Sequence, residues 1–181
     1  ILWNLQKFLL GLSKQLGVNP FEISESDVKK EFGLEEEYII SKTHSTIRKV
    51  EDLFGEYKLD DVIPEIENLF LELSRTYIQL VREKSSVGSD DERKTVLYTI
   101  NYVLMNVLKM FSTISPFVTE KIYLNLKERF DLEKESIHMY KWPEYKDNKI
   151  NYKLEKQMKK AEDVIQTILY LREKAQLGMR W

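Results

Sequence analysis

The stretch that most restricts the fold is VLYTINYVLMNVLKMF, Val96 to Phe111. Spanning a bilayer takes about 20 apolar residues. This run is shorter and contains Asn101, Asn106 and Lys109, so it reads as a buried helix. No convincing alternating strand stands beside it, and what must cover it is helical.

Apolar residues three and four apart share one face of a helix. By that spacing a first helix runs from about Ile1 to Leu16, before Gly17 and the Asn19-Pro20 turn signal. A second, Leu34 to Phe54, carries Ile40, Thr43, Ile47, Val50 and Phe54 as a packed stripe. A third, Leu59 to about Lys84, buries Ile63, Ile66, Phe70, Leu73, Tyr77 and Leu80. It tolerates Pro64 because that residue falls in its first two turns. The cluster SSVGSDDE breaks the pattern. A fourth helix then runs from Asp90 to about Thr113, its acidic start suited to the helix dipole. Ser115-Pro116 suits an N-cap and first helical position, so a helix restarts at Pro116 and reaches Phe130. Residues 131–151, rich in Tyr, Trp, Pro and Asn, form an irregular loop. The last helix turns Leu154, Met158, Ala161, Ile165 and Ile168 inward and stops at Gly178. The expected fold is all-α: one domain over residues 1–181, an antiparallel helix bundle of about five helices, one of them broken at proline, with a long loop before the last.

Composition sets limits on function. At 43% hydrophobic residues over 181 positions the chain can bury a sizeable core. Charged residues make up 32%, yet the signs cancel to −2, so any nucleic-acid surface must be a local patch. With no cysteine there is neither a disulfide framework nor a thiolate metal site, which fits a reducing cytosol. The start at ILWNLQKF and the stop in GMRW read as a piece of something longer.

A search for catalytic chemistry finds none. The 6 glycines are scattered singly, away from any phosphate-loop spacing, and no serine occupies a nucleophile elbow. His44 and His138 read as surface or boundary histidines, and Glu35, Glu36 and Glu37 as a favourable first helical turn rather than a metal or acid/base site. What remains is recognition. Binding structured RNA takes cations for phosphates, amides for base edges and planar side chains for unstacked bases. Trp3, Asn4 and Lys7 offer all three on one helix face. Arg75, Gln79 and Arg82 form a positive, hydrogen-bonding stripe, although ion pairs to Glu72 and Glu83 would serve them as well. Lys153, Lys156 and Lys160 share a face that an ordinary solvated surface also explains.

Six segments in order say more than any one of them: LWNLQKF, EYIISKTHSTIRKV, ELSRTYIQLVREK, SPFVTEKIYLNL, SIHMYKWPE and LREKAQLGMRW. Together, and over nearly the whole chain, they resemble the helical anticodon-binding domain that follows the catalytic core of class I aminoacyl-tRNA synthetases for isoleucine, valine, leucine and methionine. Asn4, Lys7 and Phe8 fall where the family has Asn, two variable residues and Arg-Phe; lysine keeps the charge without arginine's fork. Tyr38 to Lys42 match a Trp-Ile-Leu-Ser-Lys pattern, with His44 in place of its Asn. Leu73, Ser74, Arg75, Tyr77, Ile78, Gln79 and Leu80 match the third-helix motif, with Thr76 where an aromatic usually stands.

SIHMYKWPE and the tail REKAQLGMRW look most like archaeal or eukaryotic-type isoleucyl-tRNA synthetase, with the valyl enzyme as the alternative. The resemblance implies a tRNA partner held on its anticodon side and a catalytic domain in a parent enzyme, a ligase using ATP and magnesium. It also implies a cytoplasmic, monomeric protein and, in this fragment, no catalytic residue, metal or cofactor. The rival reading is a helical scaffold without RNA contact.

Overall fold

The computed structural model of the chain describes residues 1–176, and every regular element among them is helical. In chain order the helices are α1 (Leu2–Leu16), α2 (Glu25–Val28), α3 (Leu34–Gly55), α4 (Leu59–Glu72), α5 (Ile78–Leu80), α6 (Arg82–Val87), α7 (Asp90–Phe111), α8 (Pro116–Phe130) and α9 (Tyr152–Lys174). The chain divides into two compact units, Ile1–Ile150 and Asn151–Trp181.

Within the first unit α7 is the centre, packed against α1, α2, α3, α4, α6 and α8. Its residues from Thr95 to Leu108 are all buried except Tyr102, which is half-buried. Surrounded in this way the helix has no use for a polar face, which is why its sequence lacks one. Each fully buried Leu, Ile or Val there contributes roughly 1.5–3 kcal/mol. Local signals set its start: Gly88 ends α6, the Glu92 amide donates to Ser89 Oγ (3.2 Å), and the Ser89 amide donates to Glu92 Oε2 (2.8 Å). That reciprocal pair satisfies two amides the first turn would leave unpaired. Helix α1 ends at Gly17, whose left-handed φ of 66° is cheap only for glycine.

Two elements depart from the expected pattern. The connection before α3 contains the short helix α2 and a 3-10 turn, Lys29–Glu31. The third predicted helix is not uniform: between α4 and α5 lies a π-helical turn, Leu73–Tyr77, in which the Ile78 amide donates to the Leu73 carbonyl five residues back. A π-turn adds one residue to the helical count. The stripe therefore continues Leu73, Tyr77, Val81, all fully buried, and Leu80, expected inside, is 45% exposed. Ile63, also expected inside, lies out because the stripe begins at Val62, four residues before Ile66. Ser115 stands at the N-cap of α8 as expected, but its backbone carbonyl, not its hydroxyl, is used: Thr119 Oγ1 donates to it (2.8 Å).

In the second unit α9 is capped by the Asn151 carboxamide oxygen, which accepts the Leu154 amide (3.0 Å). Leu154 is buried and Met158 half-buried, but Ala161, Ile165 and Ile168, expected inward, are exposed. The predicted stop at Gly178 lies outside the described residues.

Candidate nucleic-acid interface

Helix α1 turns Leu2, Leu5, Leu9 and Leu12 into the core. The opposite face carries Trp3, Asn4 and Lys7, all exposed, with Trp3 showing 41% of its surface. Among the described residues no side chain of the three makes a hydrogen bond or ion pair. An indole, a carboxamide and an ammonium thus stand ready on one face. Gln6 behaves differently: it is buried, and its Oε1 accepts from Asn125 Nδ2 of α8 (3.3 Å).

Arg75, Gln79 and Arg82 are also exposed. The π-turn keeps Arg75 outside while Leu73 and Tyr77 on either side of it are buried. Neither Arg75 nor Arg82 is ion-paired among the described residues; Glu72 instead accepts from Tyr38 Oη (2.9 Å). The two sets belong to different parts of the first unit, since α1 packs on α7 and α8 and the π-turn on α3 and α4. Lys153, Lys156 and Lys160 are exposed along α9.

His44 corrects its sequence reading. It is completely buried, not a surface or boundary residue. Its Nδ1 accepts the Lys146 amide (3.1 Å), so the neutral ring carries its hydrogen on Nε2, which donates to Tyr102 Oη (2.9 Å). Burial, then the nearby charges of Lys149 and Lys146, push its pKa down to about 4. The spacing could have shown this, because His44 lies four residues after Ile40 and three before Ile47, inside the buried stripe.

That histidine is one fastening of a strap that crosses α3. Residues 137–150 are irregular apart from 3-10 turns at Ile137–Met139 and Asp147–Lys149, yet they are held at several points. Trp142 meets Phe54 edge-on (centroids 5.7 Å apart), Arg48 pairs with Asp147 (3.1 Å), and Lys149 pairs with Glu25 of α2. Burial alone would raise the Glu25 pKa, but the Lys149 hydrogen bond and charge outweigh it and hold the carboxyl below its usual range.

Glu36 is the second correction. The acidic run does open α3, but Glu36 is fully buried and joins three elements. It accepts from Tyr77 Oη (3.0 Å), Lys84 Nζ (3.0 Å) and the Gly33 amide (2.8 Å). The carboxylate fixes the start of α3 against the π-turn and α6. Burial works against the Lys84 charge, yet Glu36 more than compensates and raises its pKa. Among the described residues no cluster of His, Asp and Glu could hold a metal ion, and no helix is long and apolar enough to cross a membrane.

Residues 36–181 match the family described as the anticodon-binding domain of tRNA ligase. The whole chain aligns with isoleucine–tRNA ligases at similar identity: 32% with that of Methanosarcina mazei, 31% with that of Thermococcus kodakarensis and 30% with that of Sulfolobus acidocaldarius. In each case the chain spans 17% of the relative's length.

Proposed function

The chain belongs to the anticodon-binding domain family of tRNA ligases, and from that premise we propose that it is the tRNA-binding module of an isoleucine–tRNA ligase. The observation that carries this reading is that the alignment with such ligases runs over the entire chain. Residues 1–181 would act as one module, in a monomeric cytoplasmic enzyme. The parent's catalytic domain would supply ATP and magnesium chemistry and attach isoleucine to the tRNA 3′ end. The part played here is positional: gripping the anticodon side orients the tRNA and selects the correct one.

The roles follow from side-chain chemistry. The Trp3 indole can stack on an unpaired base, the Asn4 carboxamide can read a base edge, and Lys7 can neutralise a phosphate. Arg75, Gln79 and Arg82, in a different part of the first unit, would contact phosphates separately. Their exposure, and the lack of partners among the described residues, support these roles.

Titrating the chain with isoleucine tRNA and an anticodon-substituted version, at low and moderate salt, tests the proposal. Tighter binding of the first is expected, and equal binding of both would refute anticodon reading. A valine tRNA arm tests the choice of amino acid. No binding even at low salt would leave the scaffold role, which the near-zero net charge favours.

A further inference from the structure

Near the end of α7 one ammonium stands beside an aromatic ring without a carboxylate to pair it. Lys109 is half-buried, and among the described residues it meets neither a carboxylate nor a hydrogen-bond acceptor. Its Nζ lies 5.3 Å from the centre of the Tyr140 ring. Lys134 Nζ lies 4.3 Å from the same centre, so the two cations are within about 10 Å of each other. Burial, and next the charge of Lys134, lower the Lys109 pKa. The negative end of α7 and the ring face offset part of the cost of that placement. Among the described residues neither of these two like charges beside the Tyr140 ring is ion-paired.

The surroundings hold this arrangement in place. Tyr123 Oη donates to the Lys134 carbonyl (2.7 Å), so in its contact with Tyr140 Oη (3.3 Å) it accepts and Tyr140 donates. The Tyr140 hydroxyl is thereby committed inward. Lys134 donates to the Met139 carbonyl (3.1 Å), which leaves two of its N–H groups for another ligand. Glu135, the nearest carboxylate in sequence on one side, is engaged by Lys127 (3.2 Å), and Glu120 is taken up by Ser136 Oγ (2.9 Å) and the Ile137 amide (3.1 Å).

We propose that Lys109 and Lys134, both beside the Tyr140 ring, form a phosphate site that takes one backbone phosphodiester of the bound RNA. The site rests on the tRNA-binding reading above and adds a contact remote in sequence from Asn4 and Lys7. One phosphate shared by two lysines has a signature: removing either lysine removes most of the contact, and removing both removes little more.

The test is tRNA binding by wild type, Lys109→Met, Lys134→Met and the double variant between about 50 and 200 mM salt, with thermal melts alongside. Methionine keeps the apolar stem. Expected is a several-fold loss of affinity at low salt in each single variant. The slope of log K against log salt falls by roughly one in the double variant, not two, and Lys109→Arg restores binding. Melting of Lys109→Met should be unchanged or higher, because an uncompensated charge is removed. If wild type binds no tRNA, the functional reading fails and the site with it. If wild type binds and the double variant matches it in affinity and slope, the site alone is refuted. A slope loss of two would mean two separate phosphates and would overturn the shared site, and a marked loss of melting temperature in Lys109→Met would assign the ammonium a structural role.

Discussion

Acidification should weaken this fold through a single ring. His44 accepts a backbone amide at Nδ1 and is completely buried, so protonating it would add a charge and break that hydrogen bond. Its folded pKa is about 4 against an ordinary 6.5. Because the folded value is the lower one, the unfolded chain binds this proton first. The associated stability is fully present above pH 6.5 and is lost as pH falls from there toward 4. At 1.36 kcal/mol per pKa unit the whole difference is about 3 kcal/mol, of which about 2 kcal/mol should be gone by pH 5. Urea unfolding of wild type and His44→Gln at pH 7.5, 6.0 and 5.0 isolates the effect. Glutamine can still accept from Lys146 and donate to Tyr102 but does not titrate. The advantage of wild type over the variant should therefore shrink by about 2 kcal/mol between pH 7.5 and 5.0. An imidazole NMR titration should find His44 neutral down to about pH 4. Parallel stability curves, or a midpoint near 6.5, would refute the reasoning.

The π-turn predicts an inversion between neighbours. Val81→Ala should cost about 2 kcal/mol in urea unfolding, while Leu80→Ala, at an exposed site, should stay within about 0.5 kcal/mol; the reverse order would mean an unbroken α-helix there. Glu36→Gln leaves the partly exposed Lys84 ammonium with only the longer Glu35 contact (3.6 Å) and should cost about 2 kcal/mol, whereas Tyr77→Phe should cost about 1 kcal/mol. Comparable small losses in both would show that Glu36 is not the centre of that network. Lys7→Ala should weaken binding to every tRNA about equally, while Asn4→Ala should cost roughly 1–3 kcal/mol for the cognate tRNA alone, measured in the same titrations.

The helix boundaries that the chain declares locally were readable in advance. Gly17 closes α1 through its left-handed backbone, Ser89 and Glu92 open α7, and Pro116 opens α8, all by chemistry within a few residues. Where packing decides, periodicity failed. A one-residue change of phase at Leu73–Tyr77 leaves no mark in the spacing, and Leu80 changed sides with it. The exposed Trp3, Asn4, Lys7, Arg75, Gln79 and Arg82 were legible because polar faces of helices follow from the buried ones. The burial of His44 was recoverable from its place between Ile40 and Ile47. The approach of Lys109 to Lys134 and Tyr140 was not, because it joins α7 to the loop that follows α8.

The strap over α3 also bears on the order of folding. Its fastenings close large loops: His44 and Lys146 are 102 residues apart, Arg48 and Asp147 are 99, and Glu25 and Lys149 are 124. Such closures carry most of their entropic cost before any contact offsets it, whereas the helical hairpin of α3 and α4 forms from near neighbours. The strap should be the last part of the first unit to dock and the first to lift. The Lys146 amide, just ahead of the 3-10 turn and hydrogen-bonded only to the imidazole, would then exchange its hydrogen only when that imidazole is uncovered, making it a reporter of that opening.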